Sequence, residues 1–279
     1  MKSHFIHTNN IKLHYLEFEG NKPTIFLMHG LTANAHAFDG VIEAGLSPLF
    51  HIISVDLRGR GESEAPDSGY TMKEHADDII GLMNVLKIDK AILAGHSFGG
   101  FLALYIAKFY PKRVDKLILI DAAANMHPNT KEMLGPALSR LTQTFSSFDF
   151  YIQKIKLAPY LNFWDEKMLD YYKADVKKNS DGTYNCIPTI ENMMEAVLKG
   201  SLGEPWMEYL QTVYHETILI NAPGIYNLNA ALLPEDNAME TVELMQNCTY
   251  TKVQGNHQTM LYGEGAKEIV SIIKHFIKN

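Results

Sequence analysis

Short apolar runs recur along the chain, and stretches with apolar residues every three or four positions separate them. The runs are TIFLMHG (24–30), HIISVD (51–56), KAILAGHS (90–97), VDKLILID (114–121), ETILINA (216–222) and CTYTKVQG (248–255). Runs of this kind, bounded by glycine or a polar turn, predict strands buried on both faces. IKLHYLEF (11–18) alternates instead, as a half-buried strand does, and Gly20 and Pro23 mark the turn after it. TMKEHADDIIGLMNVLK (71–87) places Ile79, Leu82, Met83 and Leu86 at helical spacing, and Thr71 with Glu74 makes a capping-box pair. Further helical periods cover 98–109 and GAKEIVSIIKHFI (265–277). Strands alternating with helices of this length predict an α/β fold with a mainly parallel sheet covered on both faces.

Residues 125–215 break the alternation: no stretch there reads as a strand, and aromatic residues and methionines are frequent. This predicts a helical insertion, or cap, over the end of the sheet, leaving 1–124 and 216–279 as the core domain. A set of extra core helices is the competing expectation.

Composition narrows the partners. The 279-residue chain is 46% apolar and 20% charged, with a net charge of −7 and no clustered basic run, which argues against nucleic acid and anionic membranes. The N-terminal MKSHFIHTNNIKLHY has no continuous apolar segment, so neither a secretion leader nor a membrane span is expected there. Cys186 and Cys248 are far apart and in no metal spacing, and two reduced thiols in the cytoplasm fit that usage. No metal or organic cofactor is implied, and the expected state is a monomer or homodimer.

The chemistry concentrates at Gly95-His96-Ser97-Phe98-Gly99-Gly100, where a predicted strand hands over to a predicted helix. A serine hydroxyl is a weak nucleophile that needs a base within hydrogen-bond reach and donors aimed at the developing oxyanion. A tight strand-to-helix turn holds such a side chain clear of the sheet, and flanking glycines admit close backbone approach. The N–H of Phe98, at the helix start, is one candidate oxyanion donor. LMHGLTANAHAF (27–38) puts His29-Gly30 at the end of another strand, so the N–H of Leu31 is a second.

These stretches, together with VDLRGRGESEAP (55–66), resemble the α/β-hydrolase family in its HG oxyanion dipeptide, D-x-R-G-x-G-x-S loop and G-x-S-x-G-G nucleophile elbow, in this order. The resemblance runs from about residue 10 to 277 and is loosest over 125–215. It implies a parallel-rich eight-stranded sheet with Ser97 on the turn after the fifth strand. Serine at that turn implies acyl transfer, or cleavage of a C–C bond beside a ketone, rather than epoxide or haloalkane chemistry. The family histidine follows the last strand, which VQGNHQTMLYGEG (253–265) matches, making His257 the base.

The acid is less direct. Its usual position, after the penultimate strand, falls near Asn229 in ILINAPGIYNLNAALLPEDNAMETVELM (218–245), and the nearest acids, Glu235 and Asp236, lie beyond Pro234 where a helix should start. Some members of the fold supply the acid from the end of the sixth strand, which ends here in LILIDAAA and offers Asp121. Asp121 is the expected acid, with Glu235, Asp236 and a dyad supported by Asn229 as alternatives.

A subset of the aromatic and methionine residues of 125–215 (among them Phe145, Phe148, Tyr160, Trp164, Met193 and Trp206) should line an apolar pocket over Ser97. That favours a small hydrophobic carboxylic ester or lactone as substrate. A C–C hydrolase of aromatic ring-cleavage products, acting on a ketone, and a non-enzymatic ligand receptor of the same fold are the alternatives. Proline iminopeptidases commonly carry tryptophan where this elbow has Phe98.

Overall fold

A computed structural model describes residues 1–278. Its main sheet has eight strands: β1 (Lys2–Thr8), β2 (Ile11–Phe18), β3 (Thr24–Met28), β4 (His51–Val55), β5 (Ala91–His96), β6 (Val114–Ile120), β7 (Thr217–Asn221) and β8 (Cys248–Lys252). Their spatial order is β1-β2-β4-β3-β5-β6-β7-β8, antiparallel at β1/β2 and β2/β4 and parallel elsewhere. The apolar runs occupy its middle: β3, β5 and β7 are buried at every position, as strands covered on both faces must be. β1 carries KSHFIHT at the edge, where its exposed and half-buried positions alternate; it is a strand that the polar sequence hides.

The five longest helices among the described residues are α1 (Met72–Val85), α2 (Phe98–Phe109), α3 (Phe148–Lys156), α4 (Glu235–Leu244) and α5 (Gly263–Lys278). The capping box of α1 forms between Thr71 and Glu74, satisfying donors at both ends of the first turn. α2 buries ten of its twelve residues between β5, β6 and α1, whereas α5 packs on the irregular helical segment Ala35–Leu46.

Between β6 and β7 the chain corrects one expectation. Besides short helices it contains strands at Thr144–Phe145, Val176–Lys178 and Tyr184–Cys186, which pair antiparallel as a separate small sheet. Strands of two or three residues have no room to display a period, so no sequence pattern marks them. The segment is fastened to the loops at the carboxyl ends of the main strands. Asn34 donates to the Tyr171 carbonyl at 2.9 Å, and Asn256 donates to the Tyr160 carbonyl at 3.0 Å.

Arg140 supplies the strongest tie. Its guanidinium meets Asp175 through two bonds of 3.0 Å, and it also donates to the Thr32 carbonyl at 3.0 Å and the Thr32 hydroxyl at 3.2 Å. Both partners of this ion pair are buried, so each charge depends on the other for compensation. The Tyr151 hydroxyl also donates to Asp175.

Candidate active site

Ser97 closes β5 with φ 53° and ψ −117°, a strained conformation for a side chain other than glycine. The turn is held tight by close backbone approaches. A Cβ on Gly95 would sit 2.0 Å from the Gly99 carbonyl oxygen, and one on Gly99 would sit 2.0 Å from that of Met28. Glycine is therefore the residue these two positions admit, and their spacing seats α2 against the ends of β3 and β5. The Ser97 N–H continues the sheet ladder to the Ile120 carbonyl at 3.0 Å, so the serine lies beside the end of β6.

At that end sits Asp121, fully buried and with φ 48°. Its backbone N–H bonds to the Ile220 carbonyl at 2.8 Å, which brings the carboxylate level with the end of β7. One carboxylate oxygen, Oδ1, accepts the Asn221 side-chain amide and the Ala222 N–H, each at 2.8 Å. The other, Oδ2, lies 2.7 Å from His257 Nδ1. A carboxylate held by two N–H donors and offered to an imidazole nitrogen fixes the ring's tautomer, leaving Nε2 as the acceptor.

The competing acids lie elsewhere. Glu235 pairs with Lys252 at 3.0 Å, and Asp236 stands with it in the first turn of α4, where acids complement the helix dipole. Asn229 is exposed at a tight turn with φ 57°. His257 is instead supported from below by His96, whose Nε2–H donates to the His257 carbonyl at 2.8 Å. Burial holds His96 well below the usual imidazole range, so it stays neutral beside His257.

The two proposed oxyanion donors belong to loops joined by one side chain. Arg60 Nε donates to the Leu31 carbonyl at 2.8 Å, and its guanidinium carbon lies 5.3 Å from the centre of the Phe98 ring. Arg60 is fully buried, and its other bonds go to the Arg58 carbonyl and His75 Nε2. Asp56 organises the same region, accepting the Ala35 N–H at 2.6 Å and the Glu62 N–H at 2.9 Å while facing His14 Nδ1 at 2.6 Å. His29 spans from the Gly30 carbonyl to the Leu57 N–H, and burial pushes it down to about 4. The sequence motif signals this loop cluster; the roles within it come from the geometry.

Ser97 and His257 open on a cavity of about 70 Å³, floored by Gly30, Leu31 and His96. Its walls differ from expectation. Of the aromatic and methionine residues proposed to line it, Tyr160 does so. Phe145 packs on Tyr151 at 4.9 Å, Trp206 on Phe101 at 5.0 Å, and Met193 is fully buried, all within the core. The lining is made instead by Leu134, Ala137 and Leu138 together with Tyr160, Tyr171, Tyr172 and Tyr226. Tyr171 and Tyr172 follow Met168 at helical spacing, a pattern equally suited to a core stripe.

A broader hollow of about 790 Å³ lies along the edge of β8 and α5, among Thr217, Thr249, Ser271 and Phe276, away from this chemistry. Among the described residues no group of three or more His, Cys, Asp or Glu could hold a metal ion, and no helix is long and apolar enough to cross a membrane.

Comparison with known proteins agrees with this architecture. The E-2-(acetamidomethylene)succinate hydrolase crystal structure superposes with a TM-score of 0.86 at 24% identity, covering 100% of this chain and 99% of that one. A meta-cleavage product hydrolase from Pseudomonas fluorescens superposes with a TM-score of 0.74 at 21% identity, covering 100% and 97%. At these identities the likeness concerns the fold.

In sequence, the 2-(acetamidomethylene)succinate hydrolase of Mesorhizobium japonicum is 34% identical over 127 residues, 46% of this chain and 45% of that protein. The chain thus matches less than half the length of such curated relatives. A family profile described as the alpha/beta hydrolase fold matches residues 23–196, well over half the chain. With its eight-stranded sheet, that match means that the chain belongs to the α/β-hydrolase fold family.

Proposed function

We propose that the protein is a serine hydrolase that cleaves a small carboxylic ester or lactone through an acyl-enzyme on Ser97. The observation that carries this is the 2.7 Å contact from Asp121 Oδ2 to His257 Nδ1, behind a serine on a strained turn in the same cavity. In this reading His257 Nε2 takes the proton as Ser97 Oγ attacks the carbonyl carbon. The carbonyl oxygen becomes an oxyanion held by the N–H groups of Leu31 and Phe98. Collapse expels the alcohol, which leaves with the proton from His257. Water, deprotonated by the same base, then attacks the acyl carbon, releasing the acid and restoring Ser97.

Residues 125–215 serve as the cap in this proposal, contributing the cavity walls from Leu134 to Tyr172. A cavity of about 70 Å³ lined in part by Leu134, Ala137 and Leu138 favours a short, partly apolar acyl group. Amide and C–C bond hydrolysis use the same groups, and relatives carry names of those kinds.

The test is turnover of p-nitrophenyl esters from acetate to octanoate, with Ser97→Ala as background. The expected result is activity that peaks at the short chains and vanishes in the variant. Activity that persists in Ser97→Ala refutes the acyl-enzyme. Absence of ester turnover, with cleavage of a vinylogous diketone, would move the protein to C–C hydrolysis.

A further inference from the structure

Four tyrosines line the cavity, yet none of their hydroxyls bonds to another of the described residues. The hydrogen bonds of the molecule include partners for Tyr70, Tyr110, Tyr151, Tyr209 and Tyr250, but none for the hydroxyls of Tyr160, Tyr171, Tyr172 or Tyr226. All four residues are at least 96% buried, with relative exposures of 4%, 4%, 2% and 2%. They are also absent from the buried polar atoms that are both sealed and unpartnered, so their hydroxyls keep some accessible surface, and all four residues line the cavity. Buried hydroxyls without a partner cost free energy unless a ligand or water meets them.

The rings are held rather than loose. Tyr160 stacks on Tyr226 at 5.3 Å, Tyr171 meets Tyr172 edge-on at 4.6 Å, and Tyr226 stands edge-on to His257 at 5.5 Å. Their backbones are fixed by two asparagines, Asn34 on the Tyr171 carbonyl and Asn256 on the carbonyls of Tyr160 and Ile225. Asn256 is the residue next to the base. Rings held in this way, with Tyr226 against His257, are pre-organised for a group adjoining the scissile bond.

Charge decides what kind of group. Arg140 is the one permanently cationic side chain among the described lining residues, and its five N–H donors are all used, on Asp175, Thr32 and Ala137. Asp175 also offsets its charge. Burial pushes the four tyrosines up, so they remain neutral hydroxyls. The wall therefore offers several neutral donors and no uncompensated cation, a surface suited to an uncharged oxygen acceptor more than to a carboxylate.

Building on the serine-hydrolase reading, we infer that Tyr160, Tyr171, Tyr172 and Tyr226 form a polar subsite that selects substrates bearing a second, uncharged oxygen, such as a keto group, a few bonds from the scissile carbonyl. This replaces a wholly apolar pocket with one lined by both apolar and hydroxyl-bearing residues.

Three esters of matched length test it: methyl levulinate, methyl pentanoate and monomethyl succinate. They differ in carrying a keto group, a methylene and a carboxylate at the same place. Binding to the Ser97→Ala protein is measured by calorimetry, so that it does not depend on turnover. Methyl levulinate should bind at least about 10-fold tighter than either of the others, as expected when one or two buried donors gain a partner. In Ser97→Ala carrying Tyr171→Phe and Tyr226→Phe, with an unchanged melting temperature, that ratio should fall to within about twofold.

Equal or tighter binding of methyl pentanoate overturns the inference. So does tightest binding of monomethyl succinate, which would make Arg140 the reader, and so does failure of all three to bind. If the keto ester is preferred by Ser97→Ala while wild-type protein cleaves neither it nor any nitrophenyl ester, the subsite stands and the ester-hydrolase reading falls.

Discussion

Asp121→Asn is the sharpest perturbation of the proposed mechanism, because every bond to the carboxylate is accounted for. Oδ1 accepts two N–H groups, from Asn221 and Ala222, and Oδ2 faces His257 Nδ1. An asparagine must put its carbonyl oxygen toward the two donors, since its NH₂ there would oppose them. The NH₂ then faces His257 Nδ1 and demands an acceptor, which moves the imidazole proton to Nε2. In that tautomer the ring cannot take the proton of Ser97. The side chain keeps its size and two of its bonds, so the fold should survive. In a serine protease the equivalent change lowers kcat about 10⁴-fold, or about 5 kcal/mol at 1.36 kcal/mol per decade.

The assay is kcat on the best short nitrophenyl ester at neutral pH, alongside melting temperature and the companion variants Glu235→Gln and Asp236→Asn. The expected pattern is a loss of three to four decades in Asp121→Asn and near wild-type rates in the companions. Near wild-type turnover in Asp121→Asn with loss in either companion would refute the assignment.

Arg60→Met removes the bond to the Leu31 carbonyl and the cation beside the Phe98 ring while keeping a long apolar stem. If Arg60 positions the oxyanion donors, kcat should fall about 10- to 100-fold with KM changed less than about twofold; a KM effect alone would refute that role. Asp175→Asn leaves the buried Arg140 charge uncompensated and should cost about 3–5 kcal/mol, read as a lower denaturation midpoint; a change within about 0.5 kcal/mol would mean that water reaches the pair. His29 is neutral in the fold, held down to about 4, but titrates near 6.5 when unfolded. Its contribution is complete above the unfolded value and is lost as pH falls toward 4, by roughly 3 kcal/mol. Urea midpoints between neutral pH and about pH 5 should show that loss, reduced in His29→Asn; equal slopes in both proteins would exclude His29 as the source.

The middle of the sheet was legible because burial on both faces writes an unbroken apolar run, as in TILIN and TIFLM. The elbow was legible because close packing at Gly95 and Gly99 excludes any side chain. Ser97 and Asp121 were readable as candidates because each ends such a run, and His257 because it follows the last predicted strand. What escaped was structure that depends on distant partners. β1 has polar residues on an edge, and its register with β2 alone makes it a strand. Arg140 and Asp175 lie 35 residues apart, and no local pattern links them. The cavity tyrosines were hidden differently: stripes such as Met168, Tyr171 and Tyr172 read alike whether the tyrosines pack in a core or bound a cavity. Only their place in the cavity lining separates the two cases.

The end of β7 gives the proposed acid, Asp121, a reason to sit one strand over. Asn221 there is already committed: its amide donates to Asp121 Oδ1 and to the Leu233 carbonyl, and its oxygen accepts the Tyr250 hydroxyl at 2.9 Å. The following loop turns away, with Tyr226 packed against Tyr160 and a tight reversal from Asn227 to Ala230 that leaves Asn229 in solvent. Restoring a carboxylate at the family's usual spacing should therefore fail. In an Asp121→Asn background, adding Asn229→Asp puts the charge on an exposed turn, where water screens it and the imidazole still meets the asparagine NH₂. The double variant should stay within about twofold of Asp121→Asn in kcat, a change worth less than about 0.5 kcal/mol. Recovery of two or more decades would mean that the loop can refold to bring residue 229 to His257, and that the position of the acid is set by charge and not by the packing around Asn221.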